Sequence, residues 1–303
     1  GVVDLLGRTT WMEDPHYGQE TLVVKVGWDP KGRLLACLTN RVQTWLELRR
    51  YPDTKSALLL KEEGLAWQES DNRSLPVFLK DGSFLWESDR TGHRHLYRFD
   101  AKGGLVGPLT TGSWEVRKLH GVDEKAGVVY FDATERSPIG SDLYRVELAS
   151  ALPNEGLTRI SEAPGTHRIS FNPAFTAYVD TVSDIATPPR TAVVGADGNV
   201  LRVLDEGRAP RYQGLELGRV RFQQVPTRDG FPMESMLVLP SDFDPKKTYP
   251  VFHHLYGGPL IQTVLNSFGR DTLWFHFLAQ QGWVVWVCDN RSASNKGMAS
   301  AQG

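Results

Sequence analysis

Residues 80–86 read Lys-Asp-Gly-Ser-Phe-Leu-Trp, and a second strand-like segment, His95-Leu96-Tyr97-Arg98-Phe99, follows them. Together they form a unit of a turn, a strongly β-prone segment, a polar gap and another strand. The second strand returns as Asp142-Leu143-Tyr144-Arg145-Val146, again behind its own turn and strand. This repetition, with the Leu-Tyr-Arg strand in register, decides the fold class.

Four copies of this unit can be recognised before residue 215, where almost no segment has the apolar period of a helix. The copies are offset by roughly 45 to 50 residues, which is the spacing of four-stranded propeller blades rather than of helical solenoids. We therefore predict that residues 1–215 form β-propeller blades, and we expect further blades upstream. The alternative is an ordinary β-sandwich whose strands are similar by accident. The predicted first strands are Leu34–Leu38, Phe84–Trp86, Val128–Phe131 and Tyr178–Val179, and the second strands are Trp45–Leu48, His95–Phe99, Asp142–Val146 and Thr191–Val194.

The pattern changes near residue 215, where the turn Arg228-Asp229-Gly230 predicts a hairpin between Val220–Val225 and Glu234–Leu239. After it, the sequence predicts a strand over Pro250–Tyr256, an amphipathic helix over Asp271–Gln281 and an apolar strand over Trp283–Cys288. A helix between two buried strands is a right-handed crossover in a parallel sheet. We predict that residues 216–303 begin an α/β domain, so that the whole chain is mainly β.

The composition of the 303 residues, 40% hydrophobic and 23% charged, is typical of a folded globular protein. The 34 Lys and Arg residues nearly balance the 36 Asp and Glu residues, so neither nucleic acid nor an anionic membrane surface is expected as a partner. Cys37 and Cys288 lack the spacing of metal ligands, and no apolar run approaches the roughly 18 to 20 residues of a membrane span. We expect no metal site, no cofactor and no membrane segment in this chain.

The candidate chemistry lies where the two predicted parallel strands end, because open α/β sheets bind ligands beyond the carboxyl ends of their strands. The first of these ends carries Tyr256-Gly257-Gly258-Pro259 and the second Asp289-Asn290-Arg291. Glycines in such a loop let the backbone turn toward a substrate, and the phenol of Tyr256 could donate its O–H to the oxyanion of a tetrahedral intermediate. The alternative is that Tyr256 packs against the helix. Arg291 could bind a peptide carbonyl or carboxylate, or pair with Asp289.

Acyl transfer also needs an activated nucleophile, and the sequence contains no Gly-x-Ser-x-Gly elbow. The nearest match, Leu265-Asn266-Ser267-Phe268-Gly269, lacks the first glycine and precedes the crossover helix. No nucleophile, general acid or general base is therefore assigned.

Two further polar pairs favour structural roles over functional ones. His93 and His95 could share one face of a strand, but no third metal ligand is spaced to complete a site, so we expect a hydrogen-bonded surface pair. Glu62 and Glu63 could receive a substrate amine, but they precede Gly64, so we expect a solvated loop.

Several sequence segments together resemble the dipeptidyl peptidase IV subfamily of the prolyl oligopeptidase-type serine peptidases. The resemblance covers nearly the whole chain from residue 20 onward. Matched residue by residue, Tyr256 takes the place of the family's oxyanion tyrosine. Asp289-Asn290-Arg291 takes the place of its Asp-x-Arg-Gly segment, with Ser292 where glycine is usual. The resemblance places Gly257, Gly258, Asn290 and Arg291 in the substrate cleft. The segments that show the resemblance are residues 86–117, Phe131–Glu135, Asp142–Arg145 and Tyr249–Pro259.

This resemblance implies a partial β-propeller followed by the start of an α/β-hydrolase domain. It also implies a parent serine exopeptidase that releases N-terminal X-Pro or X-Ala dipeptides from peptide substrates through an acyl-enzyme. The family's Ser, Asp and His and its amine-binding glutamates match nothing in this chain, which is expected to be inactive alone. The alternatives are a non-catalytic peptide- or protein-binding propeller, or an acylaminoacyl peptidase or oligopeptidase of the same superfamily. A homodimer of the parent is compatible with the resemblance. So is either cellular location, periplasmic or secreted on the one hand and cytoplasmic on the other.

Overall fold

A computed structural model describes residues 1–16, 19–64, 68, 74–208, 217–293 and 296–301. The chain divides into two compact units. One unit combines Gly1–Thr111 with Ser150–Glu155, and the other combines Gly112–Ala149 with Gly156–Gly303. The domain boundary at residue 215 stays a prediction, since residues 209–216 lie outside the described residues.

The first unit contains a short hairpin and two four-stranded antiparallel sheets. The hairpin pairs β1 (Val2–Val3) with β2 (Thr9–Thr10). In both larger sheets each strand pairs with the next one along the sequence. The first sheet consists of β3 (Thr21–Trp28), β4 (Leu34–Asn40), β5 (Trp45–Tyr51) and β6 (Ala57–Glu63), and the second of β7 (Val77–Phe78), β8 (Phe84–Ser88), β9 (His95–Phe99) and β10 (Leu105–Pro108).

One apolar core joins the two sheets of the first unit. Phe84 and Phe99 stack at its centre with their ring centroids 5.3 Å apart. Each fully buried side chain of this size contributes roughly 1.5 to 3 kcal/mol relative to exposure. The core also includes Leu35, Cys37, Leu46, Leu48, Trp86 and Tyr97.

The second unit begins with two more sheets of the same kind, again with strands paired in chain order. All eight central strands predicted from the repeat are therefore present, as the second and third strands of the four sheets. The new sheets consist of β11 (Val116–Asp123), β12 (Val128–Ala133), β13 (Asp142–Glu147) and β14 (Thr158–Arg159), then β15 (Thr166–Phe171), β16 (Ala177–Ser183), β17 (Arg190–Gly195) and β18 (Val200–Asp205).

Leu96 and Leu143 occupy equivalent positions in the third strands of their sheets. The Leu96 N–H donates to Thr110 Oγ1 over 3.0 Å. In the same way, the Leu143 N–H donates to Ser161 Oγ over 3.0 Å. This repeated hydroxyl cap beyond the fourth strand shows that the sequence repeat is a structural repeat, as expected of propeller blades.

A four-stranded mixed sheet completes the second unit, in the order β19-β20-β22-β21. The predicted hairpin pairs β19 (Arg219–Pro226) with β20 (Pro232–Leu239). The predicted crossover consists of β21 (Val251–His254), α1 (Arg270–Gln280) and β22 (Val284–Cys288), and the two strands run parallel. Gly282, at φ +81°, ends the helical segment. A 3₁₀ turn over Arg291–Ala293 and α2 (Met298–Ala301) follow.

Two structural expectations about polar pairs are wrong. Glu62 is buried in β6, where it accepts hydrogen bonds from Ser88 Oγ at 2.9 Å and Arg90 Nη2 at 2.7 Å. His95 is also buried, and its Nδ1 lies 3.1 Å from Thr110 Oγ1. Their partners lie 15 to 28 residues away along the chain, so no local pattern indicates them.

Among the described residues, no group of three or more His, Cys, Asp or Glu side chains is arranged to hold a metal ion. No helix in the described ranges is long and apolar enough to cross a membrane.

Candidate active site

Tyr256 lies two residues beyond the carboxyl end of β21, which ends at His254 and not at Tyr256 as predicted. Its side chain is 60% exposed, which leaves the phenol open to a ligand. Gly257 adopts φ +78°, a conformation that favours glycine, and the backbone turns there. The ring lies against the α-carbon of Gly258, where a β-carbon would overlap it. In the described part of the chain the Tyr256 hydroxyl has no hydrogen-bond partner.

The loops after β21 and β22 are joined by hydrogen bonds. Asn290 Nδ2 donates to the Gly257 carbonyl over 2.9 Å, next to Tyr256. The Leu260 N–H donates to the Ser292 carbonyl over 2.8 Å. Ser292 Oγ donates to Asn290 Oδ1 over 3.0 Å, so a side chain is accommodated where the family usually has glycine. The structure thus brings Tyr256, Gly257, Gly258 and Asn290 together.

Asp289 anchors the segment that follows Tyr256. It is 2% exposed, and its carboxylate accepts hydrogen bonds from the backbone N–H of Thr263 at 2.9 Å and of Val264 at 2.9 Å. Thr263 Oγ1 donates to it as well. These donors fix both the carboxylate and the start of the segment 263–264 in place. No local sequence pattern indicates this role of Asp289.

Arg291 pairs with Asp229 in the β19–β20 turn, so the alternative of a pair with Asp289 is wrong. The guanidinium also lies over the Phe231 ring, 4.5 Å from its centroid. The Thr227 hydroxyl and then the Arg291 guanidinium hold the pKa of Asp229 below its ordinary value. A third of the Arg291 side chain remains exposed, which leaves room for a ligand.

A cavity of about 480 Å³ opens beside Tyr256. Its volume is within the range of roughly 300 to 1,000 Å³ that small-molecule sites span. His254 and Met236 of the sheet and Phe275 of α1 line it, and Arg168 of β15 reaches it from a propeller sheet. The sequence did not point to Arg168.

Ser267 and His276 of this unit make structural contacts. Ser267 lies in the loop before α1, where its hydroxyl lies 3.5 Å from Ser183 Oγ. His276 is 2% exposed and accepts the Gly218 N–H at its Nδ1 over 3.0 Å. Its Nε2 therefore faces the Ile185 carbonyl as a donor, and burial lowers its pKa. This fixed neutral tautomer is unsuited to proton transfer with a substrate.

Comparison with known proteins shows what the chain is similar to. Residues 1–189 match the family of the dipeptidyl peptidase IV N-terminal region. Human dipeptidyl peptidase 8 is 26% identical over 91% of this chain and 37% of its own length. The dipeptidyl-aminopeptidase B of Aspergillus niger is 28% identical over 94% of this chain and 33% of its own.

Solved structures agree with this match and confirm the fold. The crystal structure of Porphyromonas gingivalis dipeptidyl peptidase 4 superposes with a TM-score of 0.85 and 28% identity, over 95% of this chain and 41% of that one. A putative dipeptidyl aminopeptidase IV from Bacteroides ovatus has a TM-score of 0.79 at 24% identity, which supports the fold alone. The sandwich alternative is therefore wrong. The chain spans 33 to 37% of the length of these two curated relatives.

Proposed function

The chain belongs to the dipeptidyl peptidase IV subfamily of the prolyl oligopeptidase family, and we propose that it forms part of a serine exopeptidase. The proposed enzyme releases N-terminal X-Pro or X-Ala dipeptides from peptides through an acyl-enzyme. Splitting the reaction through a covalent intermediate replaces one difficult step with two easier ones. The propeller limits access to short or unfolded chains.

One observation supports this proposal above the others. The phenol of Tyr256 is exposed just beyond the carboxyl end of β21, and its hydroxyl has no hydrogen-bond partner among the described residues. In an α/β-hydrolase, part of the oxyanion hole comes from the loop after the third strand. We assign Tyr256 the donation of its O–H to the tetrahedral oxyanion, with a backbone N–H as second donor. One such donor contributes roughly 3 to 4 kcal/mol of barrier lowering.

The sheet offers a position for the catalytic nucleophile. Within the described sheet β21 lies at one edge, beside β22 only. A further parallel strand pairing with this edge would carry the nucleophile elbow to the same end of the sheet as Tyr256. Gly257 and Gly258 let the substrate approach the backbone, and Asn290 and Arg291 line the cleft beside them.

The 303-residue chain alone should lack activity, because no residue pattern in it supplies an elbow serine with its base. We therefore compare this chain with the protein from the complete reading frame that contains it. Both are assayed on Gly-Pro-p-nitroanilide and Ala-Pro-p-nitroanilide and treated with a fluorophosphonate. The expected result is dipeptide release and labelling for the complete protein, and neither for the chain.

Three outcomes oppose parts of this proposal. Labelling of a serine within residues 1–303 contradicts the inactivity of the chain. Hydrolysis of acetyl-Ala-p-nitroanilide but not of the unblocked dipeptide substrates favours an acylaminoacyl peptidase. No hydrolysis and no labelling of the complete, folded protein favours a non-catalytic binding propeller.

A further inference from the structure

The segment between Tyr256 and α1, residues 255–269, is bound on two sides. Toward the sheet, Asp289 holds Thr263 and Val264, as described above. Toward the propeller sheets, Gln262 Nε2 donates to the Pro138 carbonyl over 2.9 Å, and the Phe268 N–H donates to Ser183 Oγ over 3.1 Å. We call residues 255–269 the Tyr256 loop.

Asn266 of this loop contacts three separate propeller segments. Its N–H donates to the Ile139 carbonyl over 2.7 Å, between β12 and β13. Its carbonyl accepts from Thr166 Oγ1 of β15 over 3.0 Å. Its side-chain Oδ1 accepts the Ile185 N–H, just after β16, over 3.1 Å. One asparagine thus ties the loop to two successive propeller sheets.

Apolar packing reinforces these hydrogen bonds. Ile139 and Ile185 of the propeller sheets belong to the same buried cluster as Val264 of the loop and Phe275 of α1. Val264 is fully buried. Close-packed cores transmit small displacements because neighbouring side chains have little free space.

Two hydrogen bonds, joined by short stretches of backbone, lead from Asn266 back to Tyr256. Val264, two residues before Asn266, donates its N–H to Asp289. Asn290, next to Asp289, donates to the carbonyl of Gly257, the residue that follows Tyr256. The Tyr256 hydroxyl has no partner of its own in the described ranges, so its position depends on this backbone.

We propose that Asn266 is a positioning residue for Tyr256, through which two propeller sheets set the geometry of the oxyanion donor. This inference rests on the proposed function. Spatial connection alone does not establish coupling, so the test measures energetic coupling directly.

The first test uses the enzyme from the complete reading frame, assayed on Gly-Pro-p-nitroanilide. Asn266→Ala removes the acceptor for the Ile185 N–H, and Asn266→Asp retains it. Asn172→Ala is the matched control, because the exposed Asn172 Oδ1 likewise accepts a backbone N–H, from Thr176 over 3.0 Å, at a turn of β15–β16. We expect Asn266→Ala to lower kcat about tenfold with KM within about twofold, since donor misplacement acts on the transition state. Asn266→Asp should recover most of kcat, and Asn172→Ala should leave it unchanged.

A double-mutant cycle with Tyr256→Phe tests the route. If Asn266 acts through the phenol, Asn266→Ala should lower kcat less than about twofold once the hydroxyl is gone. An undiminished loss in that background, or a loss that Asn172→Ala reproduces, overturns the inference.

Hydrogen exchange on the 303-residue chain separates this inference from the proposed function. Asn266→Ala should speed exchange at the backbone amides of residues 260–264 by about fivefold or more, because local opening becomes easier, whereas Asn172→Ala should not. If the complete protein releases no dipeptide, the proposed function fails and this measurement still decides the positioning. Unchanged exchange in Asn266→Ala overturns it.

Discussion

The Tyr256 ring lies against the α-carbon of Gly258, so closely that a β-carbon at residue 258 would overlap the ring edge. Gly258 does not adopt a positive φ, so alanine fits its backbone. Gly258→Ala should therefore displace the ring while the fold is retained. We expect kcat of the complete enzyme to fall about tenfold or more, as for other small misplacements of catalytic groups.

Gly107→Ala is the control for that substitution. Gly107 lies in β10 without a positive φ, and a β-carbon there would meet open space. Its kcat and its melting temperature should match those of the parent. Equal kcat values for the parent and Gly258→Ala would show that the ring is free to move aside, against our interpretation.

Asn290 makes hydrogen bonds to both loops, and the bond to the Gly257 carbonyl can be removed alone. Asn290→Ala loses that bond together with the two bonds that Ser292 Oγ and the Ala293 N–H each donate to Asn290 Oδ1 over 3.0 Å. We expect the free energy of unfolding of the 303-residue chain to fall by about 1 kcal/mol, as for exposed caps. Asn290→Asp retains the acceptor for Ala293 and should lose less. Urea denaturation measures both, and identical stabilities for all three proteins would contradict this role.

His167 of β15 predicts a pH dependence that this chain can show alone. Its Nδ1 lies 2.8 Å from Asp180 Oδ2 and its Nε2 3.0 Å from the Ala163 carbonyl. Both partners only accept, so the imidazolium satisfies them best. Burial alone would lower the pKa of His167, but the hydrogen bond and charge of Asp180 outweigh it and raise the pKa. Asp142 lies 3.9 Å from His167 Nε2, and its negative charge also raises the pKa of His167. The nearby Arg136 is paired with Asp142.

The raised pKa fixes the direction of the pH effect. A histidine whose pKa is raised in the folded state stabilises the fold fully at pH values below its pKa in the unfolded chain, about 6.5. This stabilisation is lost as the pH rises through the pKa of the folded state. The difference in free energy of unfolding between the parent and His167→Gln should therefore shrink above pH 6.5. Denaturant titrations from pH 5 to 9 measure it. A difference that stays constant, or grows with pH, would show that His167 is neutral in the folded chain.

The sequence predicted the features of this fold that depend on local pattern. The strand His95–Phe99 has the predicted bounds, because turn residues and alternating side chains mark it on both sides. The meeting of Tyr256 and Asn290 followed from the parallel strands. The solvated loop expected at Glu62 is wrong because its partner Arg90 lies just beyond β8 of the next sheet. The anchoring role of Asp289 depends on the path of a loop that local pattern does not encode, and the catalytic role of Tyr256 stays a prediction.

The central claim is that the Tyr256 hydroxyl stabilises the oxyanion, and Tyr256→Phe in the complete enzyme tests it most directly. The substitution removes one exposed oxygen, so the melting temperature should not change. Steady-state kinetics on Gly-Pro-p-nitroanilide should show kcat reduced roughly a hundredfold or more with a smaller change in KM, because the bond forms mainly in the transition state. A kcat within about threefold of the parent, at unchanged melting temperature, would contradict the role assigned to Tyr256.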